Sequence, residues 1–258
     1  KIGVTYMTMN NEFYKVFIRK LVELPMREGL LYLFEIRNWM KKGRASRSMI
    51  FAPKVNLIVI NPVKGDSQPI LTLKKARKQG IKIIAVDTQL KHFKPDASIV
   101  SDNYQAGVLI AKELMKRSSN ARILLLEHKG TVSADTRIQG FKDTIKGHGS
   151  YQIISELETK GQTEIAMPAV RKFLQSGGNV DTLVSLNDRS AIGALAAIKE
   201  QGITIIAIYG IDGSPDMKAL LHSTDDVVGT VAQSPLKMGD RVMEVIQDML
   251  MGRATKKK

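Results

Sequence analysis

From Val55 onward the chain alternates short apolar runs with amphipathic stretches. Val55 to Val63 (VNLIVINPV) is nearly continuous in apolar residues and breaks at the polar Asn61. A run without alternation, bounded by turn residues, predicts a parallel strand covered on both faces. Gln68 to Gln79 follows, with Ile70, Leu73 and Ala76 on one helical face and Gly80 at its end. That pattern predicts a helix closed by glycine. Gly80 to Gln89 (GIKIIAVDTQ) is a second apolar run, and it stops at Asp87.

The same unit recurs further on. Val180 to Ser190 (VDTLVSLNDRS) stops at Asn187, and Gly202 to Asp216 (GITIIAIYGIDGSPD) stops at Asp212, with a helix predicted between them. Asn61 and Asp87 lie 26 apart (87 − 61), and Asn187 and Asp212 lie 25 apart (212 − 187). Two strand–helix–strand copies with matching polar ends predict an α/β chain of two similar lobes. The carboxyl ends of parallel strands are where open α/β sheets take their ligands, so these four residues are candidate contacts.

Other elements fill in around this repeat. Lys1 to Met9 reads as a first strand, followed by Asn11, Phe13 and Tyr14. The two rings fit the packed face of a first helix and a ligand platform about equally well. Val16 to Phe51 is the least regular stretch. Phe17, Leu21 and Leu24 fit a helix face and Leu30 to Ile36 fits a strand, but Pro25 interrupts, and the segment after Ile36 is basic and weakly periodic. Ala97 to Val100 is a short apolar segment running into Ser101, with Asp102 or Asn103 as the cap of a helix from Tyr104 to Met115. That segment is the expected crossover between lobes.

The second lobe begins with the strand Ala121 to Glu127 and a helix whose apolar face is Ile138, Phe141 and Ile145. Arg137 is read at the start of that helix, where the dipole disfavours a cation, so a ligand or a carboxylate partner accounts for it better. A strand from Tyr151 to Leu157, a helix from Glu164 to Leu174 and a strand from Val227 to Ala232 follow. Pro235 then opens a helix from Leu236 to Met251.

Composition narrows the function more than the fold. The 258 residues contain no Cys, which excludes disulfides and thiolate chemistry. No window reaches the ~18 apolar residues of a membrane span. No secretory leader is read at Lys1, which already begins a strand; that fits a mature or trimmed protein as well as a cytoplasmic one. The net charge of +14 is spread over many predicted helices, and its two dense clusters, Lys41 to Arg44 and Lys256 to Lys258, lack interleaved aromatics. Solvated helix faces explain it better than a nucleic-acid partner. No Gly-rich nucleotide loop or nucleophile elbow occurs, and the four His have no metal-ligand spacing. Asp87 and Asp212 can be cast as an acid/base pair, but their matching Asn partners favour contact residues. Neither an enzyme nor a cofactor or metal is expected.

With Asn11-Glu12-Phe13-Tyr14, Ser101-Asp102-Asn103, Asn187-Asp188, Asp212-Gly213-Ser214-Pro215-Asp216 and Thr230 to Pro235 in order, the chain resembles the type I periplasmic sugar-binding proteins. These are the ribose-binding-protein-like receptors of ABC importers. The resemblance implies two doubly wound parallel-sheet lobes joined by a hinge and closing on one monosaccharide. The N-terminal lobe would be residues 1–101 plus about 234–251, and the C-terminal lobe 102–233 plus about 252–258. It implies ligand contacts from Asn11, Phe13, Tyr14, Asn61, Asp87, Thr88, Ser101, Arg137, Asn187, Asp212 and Gln233.

The implied partners are a small neutral sugar or polyol and a membrane permease. The implied state is a monomer, periplasmic or lipid-anchored outside a Gram-positive cell. The alternative is the effector-binding domain of a sugar-responsive repressor of the LacI type, which needs a helix-turn-helix before the first strand. The Asn-Asn-Glu-Phe-Tyr start and the Asp-Gly-Ser-Pro-Asp motif favour the receptor. Three departures bear on the ligand: Thr88 stands where the ribose receptors carry Arg, Lys160-Gly161-Gln162 replaces an expected aromatic, and Val16 to Phe51 has little of the family pattern.

Overall fold

A computed structural model describes residues 2–6, 15–19, 31–35, 55–61, 67–90, 92–203 and 207–253. The chain divides into two compact units, Lys1–Ser101 with Ser234–Lys258, and Asp102–Gln233. Both are built on five parallel strands.

The first unit holds β1 (Ile2–Tyr6), β2 (Leu31–Glu35), β3 (Leu57–Ile60), β4 (Lys82–Val86) and β5 (Ala97–Ile99), in the order β2-β1-β3-β4-β5. The apolar run from Val55 becomes β3 because both of its faces are covered. Leu57 and Val59 pack with Phe17, Ile18, Met238 and Val242, while Ile58 and Ile60 pack with Ile70, Leu73 and Ala76. Helix α1 (Ser67–Lys78) supplies the second set, and the C-terminal helix, described below, supplies Met238 and Val242. A central strand with no solvated face has no use for alternation, which is why the sequence shows none. The strand expected at 30–36 is present as β2, paired in parallel with β1. Residues 15–19 are helical, with Phe17 and Ile18 buried.

The second unit holds β6 (Ala121–Glu127), β7 (Tyr151–Glu158), β8 (Thr182–Ser185), β9 (Ala207–Asp212) and β10 (Val227–Ala232), in the order β10-β9-β8-β6-β7. Its helices are α2 (Asn103–Arg117), α3 (Val132–Ile145), α4 (Thr163–Gln175), α5 (Asp188–Glu200) and α6 (Pro215–Ser223). Helix α7 (Pro235–Leu250) returns to the first unit, capped by the Ser234 hydroxyl. In β6 Ile123 and Leu125 face the α2 and α3 side, and Leu124 and Leu126 face α4 and α5.

Taken in chain order, each sheet has the arrangement second-first-third-fourth-fifth, so the winding reverses between β1 and β3 and between β6 and β8. The repeat read from the sequence is a repeat of structure. Leu57 pairs with Lys82 and Thr182 with Ala207, an offset of 25 residues in each case (82 − 57 and 207 − 182).

Helices α2 and α3 cross with their backbones in near contact. A Cβ added at Gly107 would lie 1.9 Å from the Arg137 carbonyl oxygen, and one at Gly140 would lie 2.1 Å from that of Tyr104. Only glycine permits this approach, and it brings the first turn of α2 against Arg137 of α3. No helix among the described residues is long and apolar enough to cross a membrane.

Candidate functional site

In the second unit the strands on either side of the winding reversal end at Glu127 and Ser185, and β9 and β10 end at Asp212 and Ala232. Ligands of doubly wound sheets bind at this end, outside the reversal. Arg137, Asn187, Asp212 and Gln233 all belong to this unit.

Arg137 is the centre of the arrangement. Its side chain is 7% exposed, and its donors reach α2, the segment after β8 and the end of β9. Nε donates to Asn103 Oδ1 at 2.8 Å, Nη1 donates to the Leu186 carbonyl at 2.8 Å, and Nη1 stands 3.4 Å from Asp212 Oδ1. Gln233 Nε2 donates to the same Asp212 oxygen at 2.5 Å. One carboxylate oxygen is thus held by a buried cation and an amide, and Asp212 remains partly exposed. The placement of Arg137 at a helix start is corrected here: α3 begins at Val132, so Arg137 lies in the second turn. The dipole of the helix end therefore has no bearing on it. The sequence left a ligand or a carboxylate partner open, and the carboxylate beside Arg137 is Asp212.

Asn187 has a different occupation. Its Oδ1 accepts from Ser190 N at 3.0 Å and caps α5, while Nδ2 donates to the Gly161 carbonyl at 3.0 Å. The stretch Lys160-Gly161-Gln162, where an aromatic was expected, is a turn with positive φ at Lys160 and Gly161. It leads into α4, and Asn187 is fastened to it.

The first unit shows the matching pair in direct contact. Asn61 Nδ2 donates to the Val86 carbonyl at 3.1 Å and to Asp87 Oδ2 at 3.3 Å. Asp87 and Asp212 both have positive φ, 70° and 137°, which non-glycine residues seldom adopt. Strain of this kind at two corresponding strand ends marks them as places where side-chain direction matters. Thr88 is buried, and among the described residues its hydroxyl has no hydrogen-bond partner, as has Asn61 Oδ1. Ser101 is half-buried at the last position of its segment of the unit. Asn11, Phe13 and Tyr14 lie outside the described residues, as do the basic clusters at 41–44 and 256–258.

Three side chains with a part in this arrangement were not assigned from the sequence. Asn103 was read only as a helix cap; Asp102 performs that task, accepting from Gln105 N at 3.0 Å, and Asn103 instead orients Arg137. Asp188 is fully buried, and burial pushes its carboxyl above the usual range against the pull of its hydrogen bonds and of Arg137. Thr230 donates to Asp188 at 2.6 Å. Both lay inside motifs quoted for the resemblance; Asp188 is the first residue of α5, where an acidic side chain is ordinary, and nothing local singles it out. No group of three His, Cys, Asp or Glu suited to a metal occurs among the described residues.

Residues 44–254, most of the chain, match the family described as "Periplasmic binding protein domain". The chain belongs to this family. Among curated relatives of this periplasmic binding protein, the ribose import binding protein of Bacillus subtilis is 25% identical over 259 residues, covering 99% of this chain and 83% of that protein. Among solved structures, the periplasmic component of the arabinose ABC transporter from Shewanella sp. ANA-3, bound to L-arabinofuranose, has 27% identity and a TM-score of 0.86. The match covers 100% of this chain and 88% of that one. The Caulobacter myo-inositol binding protein has 20% identity and a TM-score of 0.87 over 100% of this chain and 90% of that one, a likeness of fold. The fold is the two-lobed, parallel-sheet type I fold expected from the sequence.

Proposed function

We propose that this periplasmic binding protein is the solute receptor of an ABC importer and that its ligand is a neutral monosaccharide or polyol. The observation that carries the reading is the Asp212 carboxylate at the end of β9, with Arg137 and Gln233 gathered on one of its oxygens. Sugar hydroxyls donate to carboxylates and accept from guanidinium and amide groups, so such a cluster suits a polyhydroxylated solute. The Arg137 charge is answered within the unit by Asp212, which favours a neutral solute over an anionic one. The names of the relatives, import and binding proteins for ribose, arabinose and myo-inositol, support binding without chemistry.

On this reading Asn187 joins Asp212, Arg137 and Gln233 as a contact, and the first unit's contacts are Asn61, Asp87, Thr88 and Ser101, with Asn11, Phe13 and Tyr14. Thr88 in place of Arg offers a smaller, uncharged group, which argues for a ligand other than ribose. The receptor delivers its solute to a membrane permease as a monomer, in the periplasm or tethered by lipid at the cell surface. A thermal-shift panel of neutral pentoses, hexoses and polyols, with sugar phosphates and sugar acids beside them, tests the reading. A ligand at 100 times its dissociation constant adds about 2.7 kcal/mol to folding stability. A panel in which only sugar phosphates or sugar acids shift the transition would overturn the neutral-ligand reading.

A further inference from the structure

Asp212 is held in a backbone conformation that its own side chain does not explain. Its φ is 137°, and Gly213 follows at φ 66°. A Cβ at Gly213 would meet Ala232 Cβ at 2.5 Å, so the turn is pressed against the end of β10. The two amides that follow Asp212 both lead to Asp188. Ser214 N donates to Asp188 Oδ2 at 2.7 Å, while Gly213 N donates to Thr230 Oγ1 at 3.1 Å, and that hydroxyl donates to Asp188 Oδ1 at 2.6 Å. The slot for the carboxylate is cut by Gly210, where a Cβ would lie 2.3 Å from Asp188 Oδ1. Two stretches of chain, Gly210 to Ser214 and the end of β10 at Thr230, therefore converge on one buried carboxylate. Its hydrogen bonds all serve the turn that carries Asp212.

We propose that Asp188 is a positioning residue for ligand binding: with Thr230 it clamps the strained turn after Asp212, so that the Asp212 carboxylate faces Arg137 and Gln233 before a ligand arrives. The inference rests on the reading of Asp212 as a ligand contact. Its chemistry is specific. A carboxylate offers only acceptors, and the clamp presents it with donors: the Ser214 N–H and the Thr230 and Ser214 hydroxyls. An Asn at position 188 would keep only one acceptor, and its NH2 group would face either the Ser214 N–H or the Thr230 hydroxyl. The Thr230 hydroxyl is the link that can be cut most gently, since Val keeps its shape and loses both hydrogen bonds.

The experiment uses the full chain with Thr230→Val and Thr230→Ser, each alone and combined with Asp212→Asn. In unliganded protein, amide hydrogen exchange at Gly213 is expected to speed up in Thr230→Val and to stay native-like in Thr230→Ser. Titration with D-ribose, L-arabinose and myo-inositol is expected to show Thr230→Val weakening binding about tenfold in the native background. In the Asp212→Asn background the same change is expected to cost almost nothing, because the two residues act as one unit. Melting temperatures establish that each variant is folded. Equal losses in both backgrounds, or unchanged exchange at Gly213 in Thr230→Val, would overturn the clamp. Binding that is indifferent to Asp212→Asn would instead overturn the reading of Asp212 as a contact. If none of the three solutes binds, the exchange measurement alone decides whether the clamp exists.

Discussion

Arg137 and Asp212 are 75 residues apart in the chain, and Nη1 of one stands 3.4 Å from Oδ1 of the other. That is longer than the ~2.7–2.9 Å of a tight charge-assisted hydrogen bond. The closer partners of the guanidinium are Asn103 and the Leu186 carbonyl, each at 2.8 Å. The fork is therefore fixed by its surroundings, with Nη1 left facing the Asp212 carboxylate.

Arg137→Lys follows directly. A lysine retains the charge but lacks the planar fork that reaches Asn103, Leu186 and Asp212 together. The variant should fold, with stability lowered by about 1–3 kcal/mol from buried acceptors left unsatisfied, and should bind its sugar at least tenfold more weakly. Denaturation and calorimetric titration measure the two effects separately. Native affinity in this variant would show that the fork takes no part in binding.

Gly107→Ala tests the crossing that places Arg137. The added methyl would lie 1.9 Å from the Arg137 carbonyl oxygen and 2.7 Å from Phe141 N, both of them backbone atoms with little room to move. Overpacking of this kind costs about 1–3 kcal/mol or more, and here it should push α3 away from α2 and weaken binding as well. A urea-unfolding midpoint equal to that of the native protein would contradict the close crossing.

Tyr209 gives a prediction in alkaline solution. Its ring is fully buried in β9, and its hydroxyl has no hydrogen-bond partner among the described residues. Burial pushes its pKa up to about 12, opposed by the nearby Arg117 charge. An unfolded tyrosine ionises near pH 10. Between about pH 10 and 12 the unfolded chain therefore loses this proton while the folded chain keeps it, and stability falls as pH rises. Tyr209→Phe removes the titrating hydroxyl. The variant should match or exceed the native stability at pH 8 and gain on it by about 1 kcal/mol or more by pH 11, as read from urea midpoints at the two pH values. A difference that does not change with pH would contradict the burial of this hydroxyl.

The strands were legible because their physics is one-dimensional. A strand covered on both faces must be apolar throughout, so Leu57–Ile60, Ala121–Glu127 and Ala207–Asp212 announce themselves without alternation. The repeat of Asn and Asp at strand ends was legible for the same reason: a polar residue breaks an apolar run. What a side chain does at such an end depends on residues distant in sequence, and there the reading thinned out. Asn187 and Asn61 look alike in sequence, yet one caps a helix and ties down Gly161 while the other meets Asp87. Asn103 shows nothing locally of its bond to Arg137, 34 residues away. Asp188 looks like an ordinary acidic residue in the first turn of a helix. Only the absent Cβ of Gly210 reveals the slot that buries it.

The central claim is that Asp212 is the carboxylate that holds a neutral sugar or polyol, and calorimetric titration of native and Asp212→Ala protein tests it most directly. D-ribose, L-arabinose and myo-inositol are the first solutes to use. The account predicts saturable binding of a neutral solute to the native protein, and a loss of at least a hundredfold in affinity in the variant, about 2.7 kcal/mol. Because Asp212 is a partly exposed strand-end residue outside both cores, the variant should still unfold cooperatively. Equal affinity in the two proteins would contradict the account.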